Sequence, residues 1–366
     1  MSLHAIDDIG DAIDATKAFL TPVSLWTWLK LAFVLIFVGG GGGSGFNQAR
    51  SLSNADRGTT GPDSGFELVG PLRDVLDVAL VQTTLPPEAR NALAGVGLIF
   101  LVIFAGIALL LLLVGLLSNF MEFVFVQSLI EEEVHVRRYF GQNIGNGLRL
   151  LGFRLAVNLV SLLVTVAMLW VVFVVVLGVN LGNLSAIDET VIFDAITLLI
   201  VPLFLASMVT GLVTGFTNNF VIPLMLQGDH GVLAGWGRLW SSITDQPKQY
   251  VAYVFFSVVL SIGVGLVVGM LGLFLFLILL IPVGIIALLC WAALGQSVVT
   301  FAVITLLGAI LLLLAFAFGL LARVPLQSFL RYYSMLVLGD IDESLDPVPA
   351  VRSAIRDEGS TSGEAA

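Results

Sequence analysis

The chain has 366 residues, of which 58% are apolar and 11% are charged, and its formal net charge is −10. A soluble protein carries roughly 25% charged residues, so this composition excludes an ordinary soluble fold and predicts an all-α integral membrane protein. The acidic balance also excludes a nucleic-acid partner, because binding to phosphates requires clustered lysine and arginine. Only three of the sixteen basic residues are lysine, which with the many acids is typical of a salt-adapted, halophilic protein.

Residues 1–23 form an acidic amphipathic segment. Leu3, Ile6, Ile9 and Ile13 recur at helical spacing, while aspartates occupy the other faces. This pattern predicts a helix that lies at the membrane surface or packs on the membrane domain.

Residues 24–338 form the predicted membrane domain. Apolar stretches of about 20 residues or more predict six spanning helices. These lie at 24–45, 92–118, 150–178, 191–217, 250–281 and 299–323. A reading with two short spans within 250–298 would give seven helices, so the count in that region stays open.

The arginines indicate the orientation of the chain. They concentrate in 119–149, in 218–249 and after span six, whereas 179–190 and 282–298 contain no lysine or arginine. The positive-inside rule therefore predicts a cell-membrane protein with both termini in the cytoplasm and a flexible loop, 46–91, outside. Residues 339–366 are predicted to be an acidic, disordered cytoplasmic tail.

An internal repeat agrees with six spans. "FVFVQSLIEEEV" (123–134) follows span two, "FVIPLMLQGDHGV" (220–232) follows span four, and "YSMLVLGD" (333–340) follows span six. The repeat predicts three helical hairpins, each with an amphipathic helix at the inner surface.

The glycine run from Gly39 to Gly45 suggests two catalytic sites, and the sequence supports neither. A phosphate loop needs a lysine after the glycines, and none is there. A serine nucleophile at Ser44 needs a nearby base, but all three histidines fall on the predicted inner side, across the membrane. The glycines are instead predicted to end span one.

Glu132 and His135 have the spacing of a di-iron ligand pair, but such a site needs a second pair and further glutamates. We therefore expect no metal and no cofactor, and interpret 130–138 as a solvated charged turn with glutamate–arginine helix pairs. Separately, Glu122 and Arg154 lie near the predicted inner ends of spans two and three and form a candidate ion pair.

Two polar stripes carry the sharpest pattern. Arg154, Asn158, Ser161 and Thr165 share one face of span three, and Ser207, Thr210, Thr214 and Asn218 share one face of span four. In an antiparallel hairpin, residues at equal depth have a constant sum of numbers, and these pairs sum to 371 or 372. The stripes form either an interhelical hydrogen-bonded ladder or the lining of a solute path.

The opening "AIDDIGDAIDATKAFLTPVSLWTWLKLAFVLIFVGG", the glycine run and the repeated hairpins resemble an uncharacterised family of multi-pass membrane proteins from haloarchaea. The layout more distantly resembles the membrane part of glycerophosphodiester phosphodiesterases, whose soluble catalytic barrel has no counterpart here. The resemblance implies salt adaptation and a cell-membrane location, and no particular reaction.

Three functions remain open at this point. The repeated inner-surface segments favour a non-enzymatic protein that organises or assists other membrane components. The polar stripes favour a small-solute transporter or channel. A lipid-acting enzyme comes third, because no nucleophile and base converge. The expected partners are the lipid bilayer and other membrane proteins, and the sequence leaves the oligomeric state open.

Overall fold

The computed structural model describes residues 4–22, 24–38, 87–176, 189–228, 231–295 and 297–363. These residues form helices and no strand. The helices are α1 His4–Leu20, α2 Leu25–Phe37, α3 Pro87–Ile130, α4 Val136–Gln142, α5 Ile144–Trp170, α6 Glu189–Phe216, α7 Ile222–Gly228, α8 Val232–Asp245, α9 Pro247–Leu294, α10 Val298–Ile341 and α11 Pro349–Gly363. Short π-helices, Val171–Val176 and Thr217–Val221, follow α5 and α6.

The chain divides into two compact units, residues 1–38 with 119–366, and residues 39–118. Of the second unit, the structure describes 87–118, the first part of α3. The glycine run, Ser44 and most of the predicted outside loop lie outside the described residues.

Five described helices, α3, α5, α6 with α7, α9 and α10, are long and apolar enough to cross a membrane. The strongly bent pair of α1 and α2 allows a sixth crossing. The class predicted from composition, an all-α multi-pass membrane protein, is therefore confirmed. Residues 250–294, most of the region that the sequence left open, lie within one helix, α9.

Helices α9 and α10 form a long antiparallel hairpin. Trp291 and Phe301 contact each other near its tip, with ring centroids 6.0 Å apart, and the rings of Tyr253 and Tyr333 stack at 5.7 Å near its base. At about 1.5 Å per residue, the 48 residues of α9 extend about 72 Å, more than twice the ~30 Å hydrocarbon thickness of a bilayer. The hairpin is therefore too long to lie wholly within one hydrocarbon layer if it runs along the membrane normal.

The main core lies at that base. Segments of several helices are buried against one another here, and we call this region the basal core. Its fully buried side chains include Phe123, Val124, Phe220, Ile222, Tyr332 and Leu336. The Tyr332 hydroxyl donates to the carbonyl of Leu129 at 2.9 Å, which satisfies one of the open carbonyls at the end of α3.

The N-terminal helix packs on α10, although not through the predicted face. Asp8, Ala12 and Ala15 are buried, whereas Ile13 is exposed and Ile9 is half-buried. Small alanine side chains let the α1 backbone come close to α10, while Asp8 contacts Arg356 of α11 at 3.4 Å. At these two positions of the apolar stripe, the residues that face α10 are therefore not the isoleucines.

The prediction of a disordered tail is also wrong for the described residues. Residues 349–363 form α11, which packs on α1, and the preceding segment is held by Asp346, whose carboxylate accepts from the Val348 backbone at 2.9 Å. Arginines in α11 pair with aspartates of α1 and α10, so long-range ion pairs hold a segment whose composition alone is typical of disorder.

The turn between α3 and α4 differs from the predicted helix-paired segment as well. Residues 131–135 are not helical, and Glu132 has a positive φ of 55°. Because α3 ends at Ile130 and α4 begins at Val136, the glutamates cannot pair with Arg137 or Arg138 along one helix.

Candidate functional site

The candidate site is a cluster of three buried charged side chains in the basal core. Glu122 of α3 is 1% exposed, Arg331 of α10 is 5% exposed and Arg154 of α5 is 7% exposed. Phe123 and Val124, beside Glu122 in the chain, are fully buried. The glutamate is therefore shielded from solvent, and its charge is compensated within the protein.

Arg331 provides the main compensation. Its Nη2 forms an ion pair with Glu122 Oε1, while its Nη1 donates to the Asn218 carbonyl and, at 3.2 Å, to Asn219 Oδ1. Asn219 in turn donates to the Tyr253 hydroxyl at 2.9 Å. Through these bonds Arg331 connects α3, α10, the π-helix after α6, and α9.

Arg154 provides the second positive charge. Its Nη1 donates to Asn119 Oδ1 at 2.8 Å and its Nη2 donates to Asn218 Oδ1 at 2.7 Å. The same Nη2 lies 3.9 Å from Glu122 Oε2. The predicted pair of Glu122 and Arg154 is thus present as a longer contact beside the closer pair with Arg331.

The π-helix Thr217–Val221 explains how two consecutive asparagines reach the arginines. The Ile222 amide donates to the Thr217 carbonyl, a bond of the i to i+5 type. This wider turn brings the Asn218 carbonyl and both side-chain amides to the cluster. Such π-turns are often found at functional sites, where they redirect groups that a regular helix would occupy.

One glutamate and two arginines leave the cluster with one excess positive charge. Amide oxygens of Asn119, Asn218 and Asn219 accept from the arginines and spread that charge. Burying charges costs several kcal/mol each, and losing one partner of such a set leaves an uncompensated charge in the core. The arrangement is suited to locking the helix ends in one position, and it presents no nucleophile beside a base.

The structure brings together part of the predicted polar ladder. Arg154 bonds to Asn218, and the Thr210 hydroxyl lies 3.3 Å from the Ser161 hydroxyl. Thr165 and Ser207 instead donate to carbonyls of their own helices, at 2.9 Å and 2.8 Å.

The remaining pair of the predicted ladder, Asn158 and Thr214, forms neither of those two bonds. Asn158 is exposed, and Thr214 is half-buried. The hairpin of α5 and α6 thus contains two bonded rungs, which lie at the inner end and the middle of the stripes.

Sequence reasoning missed Arg331 as a member of the site, because it was counted with the tail arginines that set the orientation. Asn119, Asn219 and Tyr253 were also missed. A signal was present: Arg331 is followed by "YYSMLVLG", an apolar run in which a charged residue needs a partner.

A second ionic cluster, which we call the terminal cluster, joins the two ends of the chain. Arg356 of α11 contacts Asp8, Asp11 and Asp340, at 3.4 Å, 3.1 Å and 2.8 Å. Arg352 pairs with Asp340 and with Asp346, the latter at 3.3 Å. Hydrogen bonds to Asp340 and Asp11 raise the pKa of the Arg356 guanidinium further above its usual value.

Close approach at the terminal cluster requires a glycine. A Cβ at Gly339 would lie 2.6 Å from Asp346 Cγ and would also overlap the Arg352 guanidinium. The glycine therefore lets Asp346 and Arg352 pack directly against the α10 backbone.

The turn after α3 is held by Glu131. Its carboxylate accepts from Gln127 and from the Tyr139 hydroxyl, both at 2.7 Å. Burial raises the pKa of Glu131, but these hydrogen bonds outweigh it and the pKa is lowered overall. Burial, followed by the bond to Glu131, raises the pKa of Tyr139.

Among the described residues, no group of three or more histidine, cysteine, aspartate or glutamate side chains is arranged to hold a metal ion. Glu132 is exposed, and the His135 imidazole lies 3.3 Å from Glu133 rather than facing Glu132. The spacing of Glu132 and His135 therefore corresponds to no ligand pair in the structure.

Long apolar helices joined by a buried ionic core define a multi-pass integral membrane protein. Residues 3–348 match the model of a family described as "Family of unknown function (DUF7544)", and the chain belongs to that family. No curated protein matches the chain, and no solved structure matches it.

Proposed function

We propose that this protein is a non-enzymatic membrane component that organises or assists other membrane proteins. The observation that carries the proposal is a contrast along its helices. The basal core is closely packed and fixed by ion pairs, while few side chains in the most apolar stretches of the same helices are buried.

The α9–α10 hairpin illustrates this contrast. No residue of the most apolar stretch of α9 is buried, and the Leu288 side chain is 72% exposed. On α10, Leu312 and Leu313 are each 68% exposed. Between Lys248 and Arg323 the chain contains no aspartate, glutamate, lysine or arginine, so these faces are suited to lipid tails or to the helices of another protein.

The rigid base supports an organising role because it would hold such helices at defined positions. Four separate segments, α3, α5, α10 and the π-helix after α6, meet at the Glu122 cluster. A protein with this construction presents apolar helices outward without needing a reaction centre. The salt-adapted source and the cytoplasmic termini are part of the same proposal and rest on composition and on the arginine distribution.

Photo-crosslinking in native membranes tests the organising role. A photoreactive amino acid at Leu288 or Leu313 should give a discrete protein adduct of constant mass, because these side chains face outward. The same probe at Leu336, which is fully buried in the basal core, is the matched control and should give none. Lipid adducts alone at both exposed positions would overturn the proposal.

Transport of a small solute is the second candidate, supported by the polar stripe that leads from Thr210 and Ser161 to Arg154. A path along this stripe would be closed by leucine at Ser161 and Thr210 together. Purified protein in liposomes should then show a solute flux that the double variant lacks while it keeps its thermal stability. Absence of any flux with the wild-type protein, across small ions and neutral solutes, would count against this candidate.

A further inference from the structure

A cleft of about 930 Å³ lies between α2 and the start of α4. One wall is formed by Trp26, Leu29 and Phe33 of α2, and the other by residues 134–138. These α2 side chains are exposed because the helix packs on α10 through its opposite face. Leu31 and Leu35 are buried where α2 packs on α10, which leaves Trp26 68% exposed on the other side.

Three cations border this apolar wall. Lys30 Nζ lies 5.7 Å from the centre of the Trp26 ring and donates to the Val134 carbonyl at 3.4 Å. Arg137 and Arg138 follow at the first turn of α4, and both are exposed. None of the three makes an ion pair with another residue of the described chain.

Three acids, Glu131, Glu132 and Glu133, precede this wall in the chain, and none of them lines the cleft. Glu131 accepts hydrogen bonds from Gln127 and Tyr139, and Glu133 lies against His135. The aspartate and glutamate side chains are thus absent from the lining, and its charged members are Lys30, Arg137 and Arg138, on a protein whose net charge is −10. The net charge of the protein repels anions, so an anion bound in this cleft would have to be held by these three cations.

We propose that this cleft binds an anionic phospholipid of the inner leaflet, with its phosphate at Lys30, Arg137 and Arg138 and an acyl chain along Leu29 and Phe33. An apolar wall that ends in cations is complementary to an amphiphile with an anionic head. Tryptophan beside arginine is typical of the membrane interface, where lipid headgroups lie. A free phosphate ion would use the cations and leave the apolar wall uncovered. The site is independent of whether the protein organises partners or transports a solute.

The test uses the full chain in nanodiscs of phosphatidylglycerol and phosphatidylcholine, followed by release into detergent and native mass spectrometry. Wild-type protein should retain one phosphatidylglycerol in preference to phosphatidylcholine. The double variant Arg137→Gln and Arg138→Gln should retain phosphatidylglycerol on the order of tenfold less, because each basic residue near a headgroup contributes to binding.

The matched control is Arg238→Gln with Lys248→Gln, which removes two exposed cations outside the cleft. This control should retain the lipid as the wild type does. Equal retention by the Arg137 and Arg138 variant would overturn the site, and equal loss in both variants would show a general charge effect and overturn it too. The variant Leu29→Gln tests the apolar wall that would contact the acyl chain. It should retain less phosphatidylglycerol although all three cations remain. Unchanged retention would leave only a phosphate site and contradict the proposal. Unchanged thermal stability shows that each variant is folded.

Discussion

Arg356 Nη2, in the last helix, lies 3.4 Å from the Asp8 carboxylate in the first helix. An ion pair between the two ends of a membrane protein has a consequence for its topology. We expect the two ends to lie on the same side of the membrane, which requires an even number of crossings between them. Five long described helices would then require one further crossing, for which α2 is the candidate among the described residues.

Together with the arginine distribution, a shared side predicts that both termini are cytoplasmic and that the 46–91 loop is outside. In a Cys290→Ala background, Ser353→Cys should be protected from an impermeant thiol reagent in intact cells, and Ser64→Cys should react. Reaction of Ser353→Cys in intact cells, with or without reaction of Ser64→Cys, would contradict the cytoplasmic C-terminus.

Removing the charge of Glu122 should strongly destabilise the basal core. Glu122→Gln keeps the shape of the side chain but leaves Arg331 and Arg154 buried with no anion, and breaking a buried ion set costs about 3–5 kcal/mol. The measurement is the free energy of unfolding in mixed micelles. Glu133→Gln is the control, since that side chain is 65% exposed, and it should change stability little. Similar losses in both variants would show that the cluster is not a structural anchor.

The register of α5 against α6 should be detectable by oxidation. Ser161 and Thr210 have their hydroxyl oxygens 3.3 Å apart, so cysteines at both positions, in a Cys290→Ala background, should form a disulfide. Cysteines at Asn158 and Ser207 are the control, because their numbers sum to 365 rather than 371 and place them at different depths. A disulfide in the control and none in the test pair would mean that the helices pair in another register.

The terminal cluster should be sensitive to one methyl group. Gly339→Ala places a Cβ against Asp346 and Arg352, and we expect a loss of about 1–3 kcal/mol together with faster proteolysis of α11. Gly319→Ala, in the same helix, has open space around the new Cβ and should be neutral or stabilising. Equal proteolysis of both variants would argue against a closely packed α11.

The turn after α3 should loosen at low pH. The pKa of Glu131 is lowered from 4.5 in the folded protein, so its contribution to stability is present above 4.5 and is lost as the pH falls through the folded pKa. Tyr139→Phe removes one of the two hydrogen bonds and should move this loss to higher pH. Hydrogen exchange of residues 131–142 against pH measures it, with wild-type protein as the reference. If Tyr139→Phe and the wild-type protein gave the same dependence of exchange on pH, the hydrogen bond from Tyr139 to Glu131 would not control the turn.

Composition alone determined the class of the protein. A chain with 58% apolar and 11% charged residues has to bury its helices in a bilayer, and the confirmed all-α membrane fold follows from that requirement. Local spacing also placed Arg154 opposite Asn218 and Ser161 opposite Thr210, because residues of an antiparallel hairpin meet in a fixed numerical order.

Only the tertiary structure decided which charges are paired. Arg331 and Arg356 look alike in the sequence, both basic residues near the C-terminus, yet one is buried against Glu122 and the other joins α11 to α1. In the same way, Asp8 and Ala12 rather than Ile13 face the interior. Helical periodicity reports which side chains share a face, but the neighbour that covers that face comes from a distant part of the chain. Which neighbour covers the face depends on close packing and on compensation of buried charge, and no local stretch of residues determines either.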